Sequence, residues 1–582
     1  MSLFLHFNQT ISQTNFLPMN FRSLALYFSA SFLLTLAACK TTSETAPPQP
    51  AALNAPAAMS GRTKRAPLTN ESPFRRIEEW ATPNEVRTGS GMPGKAYWQQ
   101  RADYLVSATL DTATHRLTGT EQITYFNNSP DTLRYLWLQV DQNYADSTGR
   151  VQLTRPAPRA TMPRQFSGRQ FYGKYNISRV ELVSPARTAK AKRSASKNNV
   201  IEKVSGTKTP AKVLINDTVM RIDLEKPLAP GARLTLEMDW SFIVPYPGRR
   251  MGREKVSGGW IYEMAQWQPR MCVYDDVSGW QTDQYMGQGE FYTEFGNWDV
   301  RLSVPASHIV IATGVLQNPK EVLTPEQQSR LARAINSEKT VMILDSAEVG
   351  TPASRPTTQG NLTWHFKAEN TRDFAFATSQ TYIWDAAGWE GVLCQSAYPK
   401  EALPLWRQST DMVRFSVKEF STRWFRYPYP VSANVNGPEG GMEYPMIVFC
   451  RERKNEFGLF GVTTHEVGHN WFPMIINSDE RRYAWLDEGL TTFIQYYSEQ
   501  GRYPQRTPTR GPAKNIVPYM KFPQQEPLMT HPHNVTSLGN NAYGKPAAGL
   551  VLLREQILGP ERFDAAFREY CRRWAFKHPS PV

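Results

Sequence analysis

The sequence predicts an α+β protein of more than one domain, an antiparallel β half followed by a mainly helical half. Two observations predict it. Between Ala96 and about Thr378, short runs alternate apolar and polar residues with turn signals between them, the period of half-buried antiparallel strands. From about Ser379 the apolar spacing becomes helical, and one helical stretch carries His465-Glu466-Val467-Gly468-His469. At 582 residues the chain is long enough to bury two or three cores.

The elements follow in order. Met19-Asn20-Phe21-Arg22 is a short basic start, Leu24 to Leu36 is apolar, and Leu36-Ala37-Ala38-Cys39 follows. The apolar run is short for a membrane-spanning helix, and the layout is that of a signal peptide over residues 1–39. Its last four residues resemble a bacterial lipobox. That resemblance implies cleavage before Cys39, lipid on that cysteine, and anchoring in a bacterial cell envelope, facing the periplasm or the exterior. Residues 40–95 are rich in Pro, Ala, Thr and Ser and read as a flexible tether.

The β half is expected over residues 96–378. Tyr104–Leu110, Arg134–Val140, Arg221–Leu224, Leu234–Val244 and Asp299–Val304 alternate as strands, and Gln281–Val300 reads as strand-rich. Residues 187–212 are rich in Lys and Arg with Glu202 as the one acid, and read as an exposed basic insertion that accounts for part of the net charge of +13. Aromatic interleaving is absent there, which argues against nucleic acid as a partner. The five cysteines include no Cys-x-x-Cys pair, which argues against a cysteine metal site, and buried thiols are the simplest account.

The helical half, residues 379–582, carries the chemistry. Positions i and i+4 share a helix face, so His465 and His469 can reach one metal ion, with Glu466 placed as a base beside it. A catalytic zinc takes three protein ligands and keeps one position open. Eighteen residues separate His469 from Glu488, and the spacing of Leu486, Leu490, Phe493, Ile494 and Tyr497 puts Glu488 on a second helix that can fold back to the same ion. Upstream, Gly441-Met442-Glu443 precedes an apolar strand and can line the cleft. Downstream, Tyr543 opens another helical stretch, Ala547 to Leu558, where a phenol can stabilise an oxyanion.

These elements in this order resemble the aminopeptidase N family of gluzincin metallopeptidases. The family pattern is Gly-x-Met-Glu-Asn, then His-Glu-x-x-His, eighteen residues, Glu, and later a Tyr. Glu443, His465, Glu466, His469, Glu488 and Tyr543 fall on those positions. Tyr444 departs from the family Asn, and Asp487 stands where Asn is frequent.

The resemblance implies a saddle-like β domain followed by a thermolysin-like catalytic domain. It implies one zinc per chain on His465, His469 and Glu488, with Glu466 as general base and Tyr543 on the oxyanion. It implies substrate binding by Glu443, with Gly441 and Met442, and by a β-domain glutamine, Gln266 or Gln268, of which Gln266 is named. It also implies further helices beyond residue 582. The expected activity is hydrolysis of the first peptide bond of peptides with a free N-terminus. A non-catalytic peptide-binding module and an epoxide-hydrolase-like enzyme are the alternatives on the same fold.

Overall fold

The computed structural model describes residues 83–146, 148–150, 174–185, 201–246 and 250–581. The proposed signal segment with Cys39, most of the tether and residues 187–200 of the basic stretch lie outside the described residues.

The β half is built on an eight-stranded sheet. Its strand order is Val315–Leu316, Asn361–Thr371, Gly296–Pro305, Arg101–Asp111, Arg116–Phe126, Arg233–Ile243, Asn176–Pro185 and Gly206–Pro210. Pairing is antiparallel except between Arg101–Asp111 and Gly296–Pro305, which run parallel. Alternation in the first strand does what period 2 dictates: Ala102, Tyr104, Val106, Ala108 and Leu110 turn inward. Tyr104 stacks on Trp298 with ring centroids 3.8 Å apart.

Two four-stranded sheets complete the layer. Trp267 joins them to the core, its indole N–H donating to the Phe374 carbonyl at 2.8 Å.

Two expectations are corrected here. Gln281–Val300 is not strand-rich, because between Gly279–Trp280 and Gly296–Pro305 the chain has only an isolated bridge at Thr293. This stretch is nonetheless largely buried, because distant residues take up its polar groups. The Thr293 hydroxyl donates to the Arg372 carbonyl at 2.7 Å, and the Asn477 amide donates to the Thr293 carbonyl at 2.8 Å. Within the basic stretch, the described part is not simply loop. Gly206–Pro210 forms the edge of the large sheet and Lys212–Asn216 the edge of another. Lysines on an exposed edge oppose pairing with a second chain.

The change to helix also comes later than the spacing suggests. A six-stranded mixed sheet opens the second half, in the order Val341–Leu344, Ile383–Trp389, Val392–Tyr398, Val431–Asn436, Ile447–Cys450 and Gly441–Tyr444. The Val431–Asn436 and Ile447–Cys450 strands are wholly buried. A strand covered on both faces loses the alternation by which strands are read. Helix Ser409–Arg423 packs on this sheet, and helices Glu456–Gly468, Leu490–Arg502, Lys545–Leu552 and Pro560–Trp574 follow. Cys272, Cys394, Cys450 and Cys571 are buried free thiols.

A buried charge network ties the β half to the segment before Glu488. Arg270, with no exposed surface, donates to Asp141 at 2.5 Å and to Asp373, and Arg481 reaches Asp141 at 3.3 Å. Removing the shared cation leaves two buried carboxylates short of a partner. Arg270→Met is expected to cost about 3–5 kcal/mol of stability, read as a lower urea midpoint with an unchanged slope.

Candidate active site

Helix Glu456–Gly468 begins on Asn455, whose side chain accepts from the Gly458 N–H at 2.9 Å. Leu459, Phe460 and Val467 anchor it in the core. Its last turn stays helical through His469, whose N–H donates to the His465 carbonyl at 3.2 Å. The two imidazoles therefore stay on one face. The chain then loops back, and a π-helical turn, Trp485–Gly489, presents Glu488 just ahead of helix Leu490–Arg502. Such turns re-aim a side chain by a fraction of a turn and recur at functional sites.

The three side chains meet at one point. His465 Nε2 and His469 Nε2 are 3.2 Å apart, and they lie 3.2 Å and 3.4 Å from Glu488 Oε2. A tetrahedral zinc with bonds of roughly 2.0–2.1 Å sets its ligand atoms about 3.3–3.4 Å apart. The donor set and its spacing fit that ion.

The backs of both rings are held, which fixes the tautomer. His465 Nδ1 donates to Gln495 Oε1 at 2.8 Å, and the Gln495 amide nitrogen is itself bound to the Gly461 carbonyl and to Glu499. His469 Nδ1 donates to the Phe472 carbonyl at 2.9 Å. Asp487 Oδ1 lies 2.9 Å from the same nitrogen. That N–H is directed at the carbonyl, so Asp487 acts as a neighbouring charge rather than as its acceptor.

The electrostatics suit a cation. Burial alone would raise the Glu488 carboxyl, but hydrogen bonds with both imidazoles hold it below the usual range. Burial lowers His465, whereas the charges of Glu443 and Asp487 push His469 up against its own burial. Three groups crowd around a point that favours positive charge.

Around this point stand the other expected residues. Burial raises the Glu466 carboxyl to about 8. It lies against the terminal strand Gly441–Tyr444, where a β-carbon on residue 441 would sit 2.5 Å from Glu466 Oε1. Only glycine leaves the base its place. Met442 is buried, its sulfur accepting from Arg250 at 2.8 Å.

The Tyr543 hydroxyl donates to Glu488 Oε1, and its ring stacks on His465 with centroids 5.7 Å apart. The turn bearing Tyr543 approaches the Glu488 turn closely enough that a β-carbon at Gly489 would meet Pro546 at 2.4 Å.

Glu443 is buried, with one carboxylate oxygen unpartnered. It belongs to a group of four buried acids, Glu290, Glu443, Glu480 and Asp487, whose oxygens lie within 4.8 Å of one another. Arg250 pairs with Glu290, and Arg372 with Glu480 at 2.7 Å. Two guanidiniums face four carboxylates, so this side of the metal point is acidic.

Glu290 and Glu480 escape sequence reasoning because each comes from an irregular segment with no chemical motif. Gln266 is buried. Its amide donates to the Tyr444 hydroxyl at 2.5 Å, so it braces the strand bearing Glu443. Gln268, 1% exposed, keeps both amide atoms unpartnered.

Fold and site together place a three-ligand metal point beside a mixed sheet, preceded by a β half. Residues 417–581 match the model of the peptidase family M1 domain.

Among curated proteins, the chain is similar to leucine aminopeptidase 2 of Candida glabrata, 24% identical over 188 residues, covering 29% of this chain and 29% of that protein. It is also similar to aminopeptidase M1-D of Oryza sativa subsp. japonica, 21% identical over 120 residues, covering 20% and 14%. Probable aminopeptidase 1 of Saccharolobus solfataricus is 26% identical over 184 residues, covering 28% and 23%. The chain spans less than a third of the length of each of these relatives. In fold, it resembles the M1 zinc metallopeptidase from Deinococcus radiodurans, with a TM-score of 0.51 at 13% identity, covering 84% of this chain and 89% of that one.

Gln495 orients a ligand without touching the ion. Gln495→Leu is expected to weaken zinc binding about 10- to 100-fold, measured by competition with a chromophoric chelator. An unchanged affinity would remove Gln495 from the site.

Proposed function

We propose that this protein is a zinc-dependent aminopeptidase that hydrolyses the N-terminal peptide bond of peptides. The observation that carries the reading is the juxtaposition of a three-ligand metal point with a buried, cation-deficient acidic pocket. Such a pocket suits the free ammonium of a peptide, and it limits cleavage to the first bond by seating the chain end beside the metal.

Zinc held by His465, His469 and Glu488 supplies Lewis acidity and lowers the pKa of water to roughly 7. The remaining steps belong to the chain. Glu443 holds the substrate ammonium, its free oxygen available for that bond. Glu466 accepts the proton of the attacking water and delivers it to the departing amine. Burial raises its carboxyl, which favours holding the proton taken from water until the amine departs. Tyr543 donates its hydroxyl to the developing oxyanion, at the cost of its bond to Glu488. Gly441 keeps the base free to swing between its two partners.

Glu466→Gln preserves size and leaves all three ligands. The expected result is one zinc per chain by atomic spectroscopy and no release of p-nitroaniline from alanine p-nitroanilide. Retained turnover in that variant would remove Glu466 as the base.

We further propose that the mature protein is anchored in a bacterial cell envelope by lipid on Cys39. The run from Met19 to Cys39 supports this. Among the described residues, no helix is long and apolar enough to cross a membrane. Metabolic labelling with radioactive palmitate should mark the wild-type protein and leave Cys39→Ala unlabelled; equal labelling of both would overturn the anchor.

A further inference from the structure

Helix Ala513–Met520 borders the turn that bears Tyr543. Ile516 meets that turn, where a β-carbon on Gly544 would lie 3.1 Å from Ile516 Cδ1. Tyr519 is buried, its hydroxyl donating to Glu526 at 3.3 Å. A helix that turns Ile516 and Tyr519 inward turns Lys514, Val517, Pro518 and Lys521 outward, because positions i, i+3, i+4 and i+7 share a face. All four are exposed. The helical course persists through Lys521, whose N–H donates to the Val517 carbonyl at 3.1 Å, and the Phe522 N–H donates to the Tyr519 carbonyl at 2.9 Å. The outward face is thus fixed by the backbone, with Met520 and Phe522 along its margin.

Val517, Met520 and Phe522 are 42%, 44% and 49% exposed. Twelve large apolar side chains are exposed among the described residues, and three of them fall within these six positions. Such residues scattered singly are ordinary, whereas gathered ones mark a contact surface. The charge around them is one-sided. Between Glu499 and Glu526 the chain has five Arg and Lys and no acid. Glu499 is buried, and Glu526 accepts from the Thr536 N–H at 2.9 Å and from its hydroxyl at 2.6 Å. Arg502 pairs with Asp411 at 3.0 Å, Arg506 lies over the Phe457 ring, and Arg510 lies over the Tyr543 ring, 4.4 Å from its centroid. Lys514 and Lys521 make no ion pair among the described residues.

We propose that this face docks on an anionic lipid surface, with Val517, Met520 and Phe522 entering the headgroup layer and Lys514 and Lys521 meeting its phosphates. The sign of the charge selects the occupant. A face that mixes aliphatic, aromatic and lysine side chains and holds no acid has the composition of an interfacial helix, and lysine stems lie along apolar surface while their ammonium groups reach the phosphates. The docking does not depend on the aminopeptidase reading, since no metal ligand takes part. Nor does a lipid on Cys39 already supply it. The stretch from Cys39 to Pro83 extends to at most about 150 Å, so a tether of that reach favours no particular side of the body. The helix face does the selecting. It seats the bilayer beside the turn that carries Tyr543, which brings the site to peptides held at the membrane surface.

The test places an environment-sensitive fluorophore on Met520→Cys in the full-length, zinc-loaded protein, with Cys39→Ala so that no acyl chain contributes. Cys272, Cys394, Cys450 and Cys571 are buried, which leaves the new thiol as the one to label. The dye is expected to shift to the blue on vesicles of phosphatidylcholine with phosphatidylglycerol, and to stay unshifted on phosphatidylcholine alone. The same dye on Val315→Cys, in the β half, should not shift. Lys514→Gln and Lys521→Gln should each raise the lipid concentration for half-maximal shift about fivefold, and Lys→Arg at both positions should leave it unchanged. Raising salt from about 0.1 M to about 0.5 M should weaken the shift. Val517→Ser with Phe522→Ser should weaken it about tenfold.

A dye at position 520 that stays unshifted, or that shifts equally on both kinds of vesicle, would overturn the proposal. So would lysine variants that titrate like the parent. Self-association in sedimentation velocity that is abolished by Val517→Ser with Phe522→Ser would assign the face to a second copy of the chain instead.

Discussion

Everything chemical in this protein depends on three donor atoms held 3.2–3.4 Å apart on two segments that meet only in the folded chain. Two imidazole nitrogens and a carboxylate oxygen at that distance call for a shared cation among them, a metal ion or a proton. The scaffold keeps them there by bracing each from behind. Gln495 holds one ring, the Phe472 carbonyl the other, and Tyr543 the second oxygen of Glu488. His465, His469 and Glu488 are buried, so each of these bonds is stronger than it would be in water.

The β half is more than a platform. Glu290 reaches the acidic pocket from its irregular stretch between strands, paired with Arg250, while Arg270 locks the same half onto Asp141 and Asp373. Arg372, at the end of a β-half strand, neutralises Glu480. The acidic group is thus assembled from both halves, with fewer guanidiniums than carboxylates, and burial with mutual repulsion raises Glu443 and Asp487 well above the usual carboxylate range, which a ligand's positive charge would reverse.

The legible parts of the site were those with local periodicity. His465 and His469 are one helical turn apart whatever surrounds them, and Glu488 follows on a helix whose apolar stripe shows in the sequence. Gly441 was marked only by the family resemblance, and its close approach to Glu466 shows in the fold alone. The strands of the large sheet were readable for the same reason, through alternate burial of Ala102, Tyr104 and Val106. Illegible were the doubly covered strands Val431–Asn436 and Ile447–Cys450, which carry no alternation, and the irregular stretch around Glu290. The bond from the Gln266 amide to Tyr444 was equally illegible, because the partner is 178 positions away.

The amino-acid order by itself determined which side chains could bind a metal, which acid stood beside them, and that a β half precedes a half rich in helices. Those are consequences of spacing along a chain with fixed helical and extended periods. The tertiary structure alone decided which acids gather around Glu443, how each imidazole is held, and where Arg510 comes to rest against Tyr543. These depend on contacts between residues far apart in sequence, and no local period records them.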